Sequence, residues 1–135
     1  MKSPFNLTNL LAACEGRIAF GALFGLGAEA LARLEALAEA ASFEGRHAQA
    51  AEIFEVLSVF APERPDHLLS RARAEASAGR PNVAIACLNR YLAREGVDAT
   101  PALALRAELR DPIDPMGAAA DRASARALTN PVAYA

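Results

Sequence analysis

Gly45-Arg46-His47-Ala48-Gln49-Ala50-Ala51 returns further along the chain as Gly79-Arg80-Pro81-Asn82-Val83-Ala84-Ile85. The two glycines stand 34 residues apart, and the same interval separates Ala50 from Ala84 and Phe54 from Leu88. A period of 34 in a chain rich in alanine and leucine is the signature of a helix–turn–helix repeat. Each unit can bury its apolar face only against a neighbour, so such units stack into a curved solenoid. The concave side of a solenoid usually holds a peptide or a helix of another protein. The expected fold class is all-α, and the expected function class is a binding module.

Working outward, residues 28–43 are a run of Ala, Leu and Glu, all strong helix formers. Leu31, Leu34, Leu37, Ala38 and Ala41 form its apolar stripe, and Gly45 ends it as a left-handed terminal glycine does. The next helix covers 47–59, with Ala50, Ile53, Phe54 and Leu57 inward and Pro62 and Pro65 as stops. Asp66 is expected to cap a third helix, which Gly79 closes. Pro81 suits the first turn of a fourth, whose inward face is Ala84, Ile85, Leu88, Tyr91 and Leu92 and which Gly96 ends. Thr100-Pro101 reads as a cap and first-turn proline, opening a helix that Asp111-Pro112 breaks. Asp114-Pro115 starts a last helix. No segment alternates as a strand does.

Toward the N-terminus, Leu7, Leu10, Leu11 and Cys14 share one side of a short helix over 5–14. Residues 18–26 are apolar on nearly every side, although Gly21 and Gly25 interrupt them. A helix apolar all round is buried in its own fold or in a partner. Ile18, Phe20, Leu23 and Phe24 are therefore the candidate oligomer or partner interface.

The 135 residues are 53% apolar, which suffices for one domain with a core. A net charge of −2 and an isoelectric point near 5.7 offer nothing to a polyanion. Lys2 is the only lysine among 14 basic residues, a usage expected of a GC-rich bacterial genome rather than of an arginine-based function. Cys14 and Cys87 lie far apart and outside any metal or redox spacing, Cys87 among apolar neighbours, as a reducing cytoplasm allows. The apolar run near the N-terminus is shorter than the roughly 20 residues a membrane span needs. Leu11-Ala12-Ala13-Cys14 resembles a lipoprotein cleavage box, but the residues before it include Asn6, Thr8 and Asn9 and are too few and too polar for a normal signal core.

No catalytic constellation is legible. His47 and His67 have no second histidine, cysteine or carboxylate pair at ligand spacing, so no metal site is expected. Glu35 and Glu39 are four apart on one helix, with no His or Lys near them in sequence, and read as a solvated or peptide-facing edge. No phosphate-binding glycine loop or nucleophile–base motif is present. The expectations are no enzyme, no cofactor, no nucleic acid and no membrane insertion.

Aligned on the glycines, the units are 31–64 and 65–98, and they resemble tetratricopeptide repeats. The first carries Leu34, Leu37, Ala38, Gly45, Ala50, Phe54 and Pro62 at that family's pattern positions. The second carries Leu68, Arg71, Ala72, Gly79, Ala84, Leu88 and Gly96, of which Arg71 and Gly96 depart from the pattern. The resemblance implies a right-handed superhelix, with residues 5–27 as capping or oligomerisation helices and 99–128 as a partial third repeat and C-terminal cap. It also implies which residues face the concave groove: Ala32, Glu35, Glu39, Ser42 and Phe43, then Asp66, Leu69, Arg73, Ala76 and Ser77, then Leu103 and, in an open register, Arg110. Phe43 and Leu69 are the apolar anchors; the alternative for Phe43 is packing against Ala48 or Ile53. Glu35 and Glu39 disfavour the subclass that binds a chaperone's C-terminal carboxylate.

In size and in its apolar N-terminal segment the chain resembles the tetratricopeptide chaperones of bacterial type III secretion, in the translocator or the needle-subunit branch. That resemblance implies a cytoplasmic protein that holds a secreted subunit's amphipathic segment, with a homodimer or co-chaperone as further partner. A permanent scaffold subunit of a secretion or envelope complex is the alternative, and a lipid-anchored envelope protein a third reading.

Overall fold

Six helices follow one another through residues 27–130, the part of the chain that a computed structural model describes: α1 (Ala28–Phe43), α2 (His47–Phe60), α3 (Asp66–Ser77), α4 (Pro81–Leu92), α5 (Ala99–Arg110) and α6 (Pro115–Thr129). No strand occurs among the described residues, so the protein is all-α there. The helices expected over 5–14 and 18–26, and the string Leu11 to Cys14, lie outside the described residues.

The repeated string forms the same turn twice. Gly45 and Gly79 both have φ +81°. After α1 the Gly45 amide donates to the Ser42 carbonyl at 3.1 Å and the Arg46 amide to the Ala41 carbonyl at 2.8 Å. After α3 the Gly79 amide donates to Ala76 at 3.1 Å and the Arg80 amide to Glu75 at 2.9 Å. This nested pair satisfies carbonyls that a helix end leaves open, and it requires a left-handed residue that glycine supplies without strain. Arg46 and Arg80 then serve as the N-caps of α2 and α4.

Two caps differ from the sequence expectation. Asp66 is the first residue inside α3 rather than its cap, and Pro65 precedes it with no side-chain cap bond; at that place the carboxylate still opposes the positive end of the helix dipole. Asp98, not Thr100, caps α5, because its side chain accepts the Thr100 amide at 3.2 Å. Asp114 caps α6 by accepting the Gly117 amide at 3.0 Å.

Each helix packs on its neighbours in sequence, and α3 also touches α5. One buried cluster joins Ala38, Ala41, Ala50, Ala51, Phe54, Leu57 and Ala74 across α1, α2 and α3. A second joins Leu68, Leu69, Ala72, Cys87, Leu88, Tyr91 and Ala102 across α3, α4 and α5. The period of 34 governs burial as well as sequence: Ala38 and Ala72 are fully buried, as are Ala50 and Ala84. Small residues there let helix backbones approach, and the larger Phe54, Leu57, Leu88 and Tyr91 fill the remaining space. Burial also pushes the Cys87 thiol above its ordinary pKa, against the opposing charge of Arg71.

Leu37 departs from its expected place in the α1 core stripe, being 59% exposed. It stands one turn from buried Ala41, at the edge of the face that packs on α2, and it does not belong to the cluster that joins Ala38 and Ala41 to α2.

Candidate functional site

Where α1, α2 and α3 meet, the surface holds a cavity of about 300 Å³ lined by Glu39, Ser42, His47, Phe54, Ser70, Arg73, Ala74 and Ser77. Four of these, Glu39, Ser42, Arg73 and Ser77, are among the groove residues that the resemblance implies. Ser42 lies in the last turn of α1 and Ser77 ends α3, shortly before Gly45 and Gly79. Phe54 and Ala74 are buried and form an apolar floor, while Glu39, Arg73 and Ser77 stand exposed at the rim. Neither Glu39 nor Arg73 makes an ion pair or side-chain hydrogen bond with another described residue, and both are exposed. Phe43 is 95% exposed on α1. It does not pack against Ala48 or Ile53, and its ring is available at the surface.

Of the other expected groove residues, Ala32 and Asp66 are exposed and the two leucines are not. Leu69 is 8% exposed within the second cluster, and Leu103 is also 8% exposed. The approach of α5 to α3 closes this face, with Ala102 in the same cluster as Leu69. Neither leucine is a free anchor. Ala76 is half-buried.

Glu35 is engaged as a strut. It pairs with Arg64, and its Oε1 lies 2.8 Å from Nε2 of His67, which is 3% exposed. A carboxylate of α1 thus holds the first turn of α3 across 32 residues of sequence. Local spacing does not reveal that partnership, because residues so far apart meet only when the helices pack.

Arg71 and Arg80, beside the groove, make ion pairs within the fold. Glu75, 4% exposed, lies 2.7 Å from Nε of Arg80 and 3.9 Å from Nε of Arg71, and Arg71 reaches Glu55 of α2 at 3.7 Å. Arg71, which departs from the repeat pattern, thereby joins an ion-pair network between α2 and α3. His47 and Ser70 also line the cavity, although neither is among the expected groove residues.

Among the described residues, no group of three or more His, Cys, Asp or Glu side chains could hold a metal ion. No described helix is long and apolar enough to cross a membrane. The candidate interface residues Ile18, Phe20, Leu23 and Phe24 lie outside the described residues. Comparison with family models, with curated proteins and with solved structures gives no match.

Proposed function

We propose that this chain is a tetratricopeptide-like protein-binding module that acts as a cytoplasmic secretion chaperone and holds an amphipathic segment of a secretion-system subunit against α1 and α3. The observation that carries this reading is the cavity with Glu39, Ser42, Arg73 and Ser77 on its walls, Phe54 beneath them, and Phe43 exposed on the same helix as Glu39. An apolar floor with a few fixed polar groups at the rim is the usual make-up of a recognition site. A segment apolar on one face would lay it over Phe54 and Phe43 while its polar edge meets Glu39 and Arg73. Burying about 300 Å² of apolar surface contributes roughly 7 kcal/mol before ordering costs. The reading requires no nucleotide or cofactor.

The test is calorimetric titration of the purified chain with amphipathic segments of needle and translocator subunits, alongside Phe43→Glu and Arg73→Glu. Both side chains are exposed, so these variants should fold normally and bind at least tenfold more weakly, a loss of about 1.4 kcal/mol. Equal binding by all three proteins, or none by the wild type, sinks the reading. A complex that never exchanges with excess free segment would move it to the scaffold alternative.

A further inference from the structure

Ion pairing is nearly complete on α1 and α3, the two helices that flank the cavity. On α1, Glu29 pairs with Arg33 and Glu35 with Arg64. On α3, Asp66 pairs with Arg64, while Arg71 and Glu75 lie 3.9 Å apart and reach Glu55 and Arg80. Glu39 and Arg73 are the charged side chains of these helices that have no such partner among the described residues. They stand 34 residues apart, so they hold the same place in successive units. Both are exposed, and both line the same cavity. The next place in the series is Ala107, which is 1% exposed, so the charged track covers two units. The hydroxyls of Ser42, Ser70 and Ser77 line the cavity as well and make no hydrogen bond with a described residue.

We propose that the segment held here carries one basic and one acidic side chain on its docked face, the basic one against Glu39 and the acidic one against Arg73. This rests on the reading that the cavity holds an amphipathic segment, and it names the charges by which that segment is chosen. Opposite charges at one repeat position select a ligand of mixed sign, because a docked face of a single sign sets like charges against each other on one side. A simple ion has one sign and satisfies only one of the two. On a helix, side chains four residues apart share a face, with Cβ atoms about 5–6 Å apart. The flexible stems of a lysine and a glutamate extend that reach to partners on two helices. An apolar side chain of the same face then covers Phe54 and Ala74, the buried floor. Exposed ion pairs are individually weak, so the floor supplies affinity and the two charges supply selection.

Fluorescence anisotropy of the full chain with labelled synthetic amphipathic helices tests this. The helices share one apolar face and carry beside it, four residues apart, Lys and Glu, Lys and Lys, Glu and Glu, or Gln and Gln. The wild type should bind the Lys–Glu helix about tenfold more tightly than either like-charged helix, a difference of about 1.4 kcal/mol. Raising the salt concentration should shrink that preference. Glu39→Arg should move the preference to the Glu–Glu helix, and Arg73→Glu should move it to the Lys–Lys helix. The double variant should prefer Lys–Glu again, since the helix can dock in the opposite direction. Both side chains are exposed, so all variants should keep the wild-type circular dichroism. Equal binding of the four helices, or a preference that does not follow the substitutions, overturns this proposal and leaves an apolar groove that ignores charge. Failure of every helix to bind sinks the parent reading with it.

Discussion

Removing the Asp121 carboxylate should loosen the end of the molecule. Asp121 is 4% exposed and accepts from Nε of Arg106 at 2.9 Å, from Nη2 of Arg106 at 2.7 Å and from Nη1 of Arg110 at 3.1 Å. Nη1 of Arg106 also donates to Oδ1 of Asn89 at 2.8 Å, so one guanidinium ties α4, α5 and α6 together. Breaking a buried pair from one side costs about 3–5 kcal/mol because a charge is left without a partner. Here the arginine side chains keep 18% and 26% exposure, so water recovers part, and Asp121→Ala should cost about 2–4 kcal/mol. That is a large share of the roughly 5–15 kcal/mol that holds a domain folded. Asp121→Asn keeps the shape and one acceptor and should cost less, about 1–2 kcal/mol. Urea unfolding followed by circular dichroism gives the magnitude, and hydrogen exchange should show α6 losing protection first. A cost below about 0.5 kcal/mol for Asp121→Ala would refute the reasoning, since that is the worth of a solvated surface pair.

Gly79→Ala should destabilise by about 1–2 kcal/mol from backbone conformation alone, because φ is +81° and an added Cβ would meet nothing within 4 Å; a neutral result in urea unfolding would contradict the left-handed turn. Leu57→Ala, at a fully buried position, should cost about 2–5 kcal/mol. Phe43→Ala should change stability by less than about 0.5 kcal/mol, and the reverse order would overturn the assignment of core and surface. Cys87 should resist alkylation at pH 8 until the chain unfolds, since burial raises its pKa above 9.0; rapid native labelling would contradict that burial. The same shift predicts a pH dependence. The unfolded thiol ionises first, so the stability it contributes is complete below about pH 9 and declines as pH rises toward the folded value, which a urea series across that range measures.

Much of the fold was legible because the signals are local. A glycine after an apolar run marks a left-handed stop, a proline marks a first turn, and alanines at a fixed interval mark close approach; α1 through α6 begin and end near those marks. The candidate site was legible in part. Glu39, Ser42, Arg73 and Ser77 line the cavity and are among the groove positions that the resemblance to tetratricopeptide repeats implies. Leu69 and Leu103 are implied in the same way and yet are buried, because whether a face stays open depends on how near the next helix comes. Glu35 carries the same limit: its sequence neighbours suggest a free groove carboxylate, and its actual partners, Arg64 and His67, arrive from the start of α3.

By itself, then, the sequence determined the helices, their turns, the period of 34 and the small residues on which the units pack. These are set by backbone conformation and by residue size within a few positions of the chain. Tertiary structure alone decided which charges pair, as at Glu35 and Asp121, which groove positions stay open, and that Phe43 stands in solvent while Leu69 does not. Those outcomes depend on distances between helices, and the energy of a contact falls away within a few ångströms that no spacing along the chain records.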